Sequence, residues 1–196
     1  MDVDPESSIA IQIVLIVVLT LINAYFAASE MAIVSVNKSK IHRLSEEGNK
    51  KAKLVEKLLD QPTNFLSTIQ VAITLAGFFN SASAATGISK SFADVLKNWS
   101  VPYADTIAVV LITILISFIT LIFGELVPKR IALQKAESYS MFCAKPILVI
   151  SKIASPFIKI LSWSTKFILR IFGMADENVE ESLSREEIRS LVEGGQ

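Results

Sequence analysis

A glutamate set between a glycine and a proline is the strongest chemical signal in this chain, in Phe123-Gly124-Glu125-Leu126-Val127-Pro128-Lys129. In a continuing helix the N–H of residue 128 would bond the carbonyl of residue 124. Proline has no N–H and its ring crowds that carbonyl. Glycine loosens the backbone at the same turn. The sequence therefore predicts an unwound turn with a free Gly124 carbonyl beside the Glu125 carboxylate. Hard cations take oxygen ligands of this kind. Further oxygens come from Ser29, in Ala27-Ala28-Ser29-Glu30, and from Ser67, Thr68, Gln70, Thr74 and Asn80. We take Ser29, Ser67, Thr68, Gln70, Thr74, Asn80, Gly124 and Glu125 as the candidate metal ligands. With one Cys and one His in the chain, zinc and copper chemistry is not expected. No Ser-His or Asp-Asp pair stands at a spacing suited to nucleophilic catalysis, so we expect no enzyme. The plain alternative for Glu125 is an interfacial carboxylate paired with Lys129 one helical turn on. For Glu30 it is a surface pair with a nearby lysine.

The elements that must carry these residues are apolar. Ser7–Ser29, Gln61–Ser89 and Thr106–Gly124 contain no Asp, Glu, Lys or Arg. A helix needs roughly 20 residues to cross a hydrocarbon layer about 30 Å thick. Each stretch reaches that length or nearly so, and three membrane-spanning helices are expected. The 52% hydrophobic content supports a membrane class. An ionisable group inside a span reads as functional by default. Irregular backbone at that depth is tolerated where it lines a cavity, and broken helices commonly build cation sites in transporters.

The second stretch is unusually polar. Thr63, Ser67, Gln70, Thr74, Gly77 and Ser81 fall along one helical face at about 100° per residue. Gln70 and Asn80 would be costly against lipid, so both are expected to face the protein interior or a watery cavity. Small residues here let another backbone come close, and single hydroxyls can serve only to hold helices together. Pro62 suits the first turn of this helix.

Orientation follows from charge. Asp2, Asp4 and Glu6 precede the first stretch, which argues against a signal peptide. Seven Lys or Arg residues lie between the first two stretches, two between the second and third, and Lys129, Arg130 and Lys135 follow the third. The positive-inside rule places the first loop and the C-terminal half in the cytoplasm and the N-terminus outside. The formal net charge of zero gives no general attraction to nucleic acid.

In 138–173, Lys145, Lys152, Lys159 and Lys166 recur every seven residues. That step drifts only about 20° on a helix, so the cations form one stripe. An amphipathic helix lying in the membrane interface is expected, bent at Pro146 and Pro156. A fourth spanning helix is the alternative, and it would bury several lysines. We divide the chain into a three-span domain with cytoplasmic helices (1–137), the interfacial helix (138–173) and an acidic linker (174–196) in which Ser184-Arg185-Glu186-Glu187 reads as a capping box.

Three motifs carry a family resemblance: Asn23-Ala24-Tyr25-Phe26-Ala27-Ala28-Ser29-Glu30-Met31-Ala32, Phe65-Leu66-Ser67-Thr68-Ile69-Gln70-Val71, and Phe123 to Lys129. The chain resembles the transmembrane domain, of the DUF21 type, of the CorC/CNNM magnesium transporters. The resemblance covers essentially all residues. It implies an all-α homodimer in the cell membrane, with three spans, cytoplasmic helices and a juxtamembrane belt. It implies Mg²⁺ export coupled to Na⁺ entry, with Mg²⁺ held by oxygens from all three spans. Gly124 and Glu125 match the family motif well, and Ser67 or Thr68 moderately. Ala27 stands where many relatives have Ser, and Ala72-Ile73-Thr74-Leu75 where many carry Asn; both departures bear on ion preference. The segment Leu183 to Glu193 looks like the lead-in to a cytoplasmic CBS-pair module, expected in the full-length protein. The expected function is Na⁺-coupled Mg²⁺ efflux. The alternative is a membrane-embedded ion sensor or scaffold that signals through a soluble domain without transport.

Overall fold

The computed structural model describes residues 5–173. They form α1 (Pro5–Ser35), α2 (Lys38–Glu46), α3 (Lys50–Leu59), α4 (Pro62–Thr86), α5 (Ile88–Asn98), α6 (Ala104–Leu121), a π-helical turn (Ile122–Leu126), α7 (Val127–Gln134) and α8 (Ala136–Ile171). No strand occurs among the described residues, so the fold is all-α. The expected linker 174–196, with its capping box, lies outside them.

Local chemistry sets the boundaries. Asn37 and Asn49 cap α2 and α3, their side-chain oxygens accepting N–H groups of the first turn. Pro62 occupies the first turn of α4, where a missing N–H leaves no bond unmade. The second charge-free stretch is not one helix, because α4 ends at Thr86 and α5 begins after Gly87.

Four segments are long and apolar enough to cross a bilayer by length and composition: Ile9–Ser35, Pro62–Asn98, Ala104–Gln134 and Ala136–Ile171. The chain is thus a multi-pass membrane protein. The expectation of three spans is not decided by this criterion, since α8 also meets it.

Two compact units divide the chain after Ala154. In the first, α1 packs along α4 and against the π-turn and α7, while α4 meets α6 and α5 pairs with α6. One apolar core joins Phe26 and Ile33 of α1, Ile41 of α2, Val55 of α3, Phe65 and Ile69 of α4, and Cys143 and Ile147 at the start of α8. A second, smaller cluster joins Ile16, Ala84 and Ile112, one from each of α1, α4 and α6. Between these two apolar contacts the same three helices enclose polar groups. Beyond Ala154, the α8 residues Lys159 and Lys166 are exposed, as are Phe157, Ile160 and Phe167.

A polar cavity as the candidate cation site

Pro128 shapes the site, though not as expected. The helix does not unwind. It widens by one residue per turn, and the Val127 N–H bonds the Ile122 carbonyl five residues back. This lets the chain pass into α7 without demanding an N–H from Pro128. π-Turns of this kind occur frequently at functional sites. The Gly124 carbonyl is not free either: Asn23 Nδ2 of α1 donates to it at 3.1 Å. The partner that proline cannot supply comes from a side chain 101 residues away in sequence.

Glycine keeps this crossing close. A Cβ on Gly124 would stand 3.2 Å from Asn23 Nδ2 and 3.4 Å from the methyl carbons of Thr20 and Thr120. Its absence lets α1 approach the π-turn closely.

A second amide faces the first from α4. Asn80 Nδ2 donates to Thr20 Oγ1 at 3.2 Å and to Thr120 Oγ1 at 2.8 Å. Asn80 therefore ties α1, α4 and α6 together. Asn23 is 5% exposed and Asn80 2%. The Oδ1 atoms of both are buried and have no hydrogen-bond partner. A buried acceptor left unanswered costs about 1–3 kcal/mol and calls for a physical explanation such as a water or an ion.

Both asparagines line a cavity of about 210 Å³, together with Ser81 of α4, Ser117 and Thr120 of α6, and Glu125 of the π-turn. Gly77 opens space on the α4 side, and Ile73, Ile116 and Leu121 complete the wall. Glu125 is partly buried, and its carboxylate also accepts from Lys129 Nζ at 2.9 Å. Lys129 Nζ lies 3.2 Å from Glu30 Oε2 as well. The two readings of Glu125 are thus not exclusive: it lines the cavity and pairs with Lys129. Glu30 makes the lysine pair expected of it. No group of three or more His, Cys, Asp and Glu placed to hold a metal ion occurs among the described residues. Any cation here would meet amide, hydroxyl and carboxylate oxygens rather than a carboxylate cage.

Of the eight sequence-derived candidates, Asn80 and Glu125 line the cavity, and Gly124 is tied to it through its carbonyl's bond from Asn23. The other five neither line the cavity nor bond a residue that does. Ser29 is fully buried, and its hydroxyl donates to the Tyr25 carbonyl at 2.7 Å. Thr68 bonds the Asn64 carbonyl at 2.8 Å and Ser151 Oγ of α8 at 3.2 Å. Ser67 is half-buried, and Gln70 and Thr74 are exposed on the outside of this chain. The expectation that Gln70 faces the interior is therefore corrected. The reason is rotational: the buried face of α4 runs through Phe65, Ile69, Ala76, Asn80 and Ala84, and the expected stripe lies beside it. Only Gly77 and Ser81 of that stripe reach the cavity.

Sequence reasoning passed over Asn23, Thr20 and Thr120. Asn23 carried the same signal as Asn80, an amide within a charge-free stretch where lipid exposure is expensive. Thr20 and Thr120 carried none beyond their hydroxyls.

The chain is similar over nearly its whole length to proteins of bacteria. A UPF0053 protein of Synechocystis is 36% identical over 192 residues, covering 97% of this chain and 43% of that protein. The UPF0053 protein YhdP of Bacillus subtilis is 33% identical over 185 residues, covering 93% and 42%. A protein of Haemophilus influenzae named polyamine export protein is 28% identical over 183 residues, covering 85% and 41%. The chain thus spans less than half the length of these relatives. Residues 14–196 match the model of the cyclin M transmembrane N-terminal domain, and the chain belongs to that family, the one its motifs resemble.

Proposed function

We propose that this chain is the membrane part of a secondary transporter that moves a divalent metal ion, Mg²⁺ in the first place, out of the cytoplasm in exchange for Na⁺. The observation that carries the reading is that two residues lining the cavity with Glu125, Asn23 and Asn80, each keep a buried amide oxygen without a donor. Mg²⁺ sheds its water reluctantly and needs several oxygens converging at once. Two amide side chains, the hydroxyls of Ser81, Ser117 and Thr120, and one carboxylate form such a donor set. The Glu125 carboxylate offsets part of the ion's charge, and the Gly124 carbonyl positions Asn23. In this reading Ser29, Ser67, Thr68, Gln70 and Thr74 leave the ligand set.

Three of the apolar segments span the membrane, and α8 lies in the interface. Its exposed Lys145, Lys152, Lys159 and Lys166 suit lipid phosphates better than hydrocarbon. The N-terminus lies outside and α2, α3 and α8 in the cytoplasm, in accordance with the lysine distribution. The homodimer that the family resemblance implies would give the exposed Gln70 and Thr74 a partner other than lipid. The greater length of the relatives is consistent with a cytoplasmic CBS-pair module in the whole protein.

The test is Mg²⁺ flux into proteoliposomes carrying the wild type and Glu125→Gln. Flux falls to background in the variant while its elution profile stays that of the folded protein. Undiminished flux removes the site assignment. A sensor or scaffold binds Mg²⁺ in the same preparation and moves none.

A second reading has its own support. One relative is named a polyamine export protein, and here an alkylammonium, that of Lys129, already rests on Glu125 and Glu30. An organic polyamine as cargo predicts flux of labelled spermidine that Mg²⁺ does not inhibit; an Mg²⁺ transporter shows the reverse.

A further inference from the structure

Lys129 of α7 bridges two glutamates, one on α1 and one in the π-turn. Its Nζ sits 2.9 Å from Glu125 Oε1 and 3.2 Å from Glu30 Oε2. The three side chains are only 25%, 33% and 26% exposed, so the charges meet in a partly dehydrated setting where each is felt strongly. Two carboxylates and one ammonium leave a net charge of −1. The same Glu125 lines the cation cavity.

We infer that Lys129 is a tethered cation that competes with the transported ion for Glu125 and neutralises that carboxylate whenever the cavity is empty. This rests on the cation-site reading above and deepens it. A divalent ion approaching Glu125 meets a carboxylate with one oxygen, Oε1, already answered and a like charge beside it. Binding therefore tightens when the ammonium withdraws. The lysine stem is long and flexible and its head is a compact point charge, so it can release Glu125 without leaving Glu30. Glu30 thus provides the resting place on α1 that makes withdrawal inexpensive. On the empty return step the ammonium goes back to Glu125. A bare carboxylate in a partly dehydrated setting is disfavoured, so the tether lowers the barrier for a carrier that must cycle without cargo.

The experiment measures Mg²⁺ binding by calorimetry on the purified full chain, together with flux in proteoliposomes, for wild type, Lys129→Gln and Lys129→Arg. Lys129→Gln binds Mg²⁺ at least tenfold more tightly and turns over several-fold more slowly. Lys129→Arg, which keeps the charge and adds a bidentate hold on carboxylate, binds no more tightly than wild type. Lys129→Met serves in place of Lys129→Gln should the latter not fold. Glu30→Gln gives an independent check: it weakens Mg²⁺ binding when Lys129 is present and loses most of that effect in the double variant with Lys129→Gln. Wild-type binding that Lys129→Gln leaves unchanged or weakens overturns the role of Lys129 and spares the cation site, as do strictly additive effects of the Glu30 and Lys129 changes. Absence of Mg²⁺ binding in wild type and Lys129→Gln alike overturns both.

Discussion

Thr68 and Asn80 lie on the same helix and are buried to the same degree, at 1% and 2% exposed, yet their surroundings differ in kind. Thr68 stands on α4 between Phe65 and Ile69 of the apolar core, and its hydroxyl meets the Asn64 carbonyl and Ser151. Its hydrogen-bonding capacity is used inside the protein. Asn80 spends both amide hydrogens on Thr20 and Thr120 and keeps an oxygen with no donor. A polar residue in an apolar helix is therefore not a functional signal in itself. The informative feature is capacity left over after packing: Thr68 has none, while the cavity residues Asn23 and Asn80 each keep an unanswered oxygen, as do Gln12 and Tyr25 elsewhere on α1.

The contrast can be broken in four ways. The largest effect is expected from Asn80→Ala, which removes the acceptor and releases both threonines. Mg²⁺ flux falls by about tenfold or more, the equivalent of at least about 1.4 kcal/mol, and chemical denaturation shows a stability loss of about 1–3 kcal/mol. Gly124→Ala comes next. The added methyl meets Asn23 Nδ2 at 3.2 Å and pushes it off the carbonyl; calorimetry shows Mg²⁺ binding weakened several-fold with helical content unchanged. Thr68→Val should act only on stability, by about 1 kcal/mol, leaving flux within about twofold of wild type. If Thr68→Val abolished flux while Asn80→Ala spared it, the assignment of the two regions would be reversed.

The smallest effect lies outside both regions, in the α2–α3 hairpin. His42 Nδ1 is 2.6 Å from Glu56 Oε1, and Nε2 is 3.4 Å from Glu46 Oε1. The hydrogen bond to Glu56, then the nearby carboxylates, raise the His42 pKa, and the same bond and that of Ser45 lower the Glu56 pKa. A raised imidazole pKa adds stability that is complete below its ordinary value of about 6.5 and lost as pH rises through the folded value. The lowered Glu56 pKa adds stability present above the ordinary carboxylate range and lost as pH falls through the folded value. Hydrogen exchange of the hairpin amides should show protection declining from pH 6 to pH 8. The decline should vanish in His42→Ala, and Mg²⁺ flux should not follow it.

Much of this molecule was legible in its residues. The charge-free stretches announced α1, α4 and α6, and Pro62 announced the start of α4. The Gly-Glu-Pro element announced an irregular turn with a carboxylate at its centre. Less was legible where two faces of one helix competed. Along α4, the small and polar stripe through Gln70 and Thr74 was as regular as the buried stripe through Ile69 and Asn80. Periodicity could not choose between them. Ser29 looked like a ligand because it ends a charge-free stretch beside Glu30, but its hydroxyl closes on its own helix at the Tyr25 carbonyl.

Composition and local stereochemistry alone required long apolar helices, a polar interruption within them and a backbone fault at Pro128, because chain length, charge and a missing N–H act within a few residues of their origin. Tertiary packing alone decided that the fault becomes a π-turn held by Asn23, that α4 turns Asn80 inward and Gln70 outward, and that one lysine meets two glutamates from different helices. Helical periodicity sets the angles between residues on one helix but leaves its rotation about its own axis open, and only contact with a neighbouring helix selects that angle.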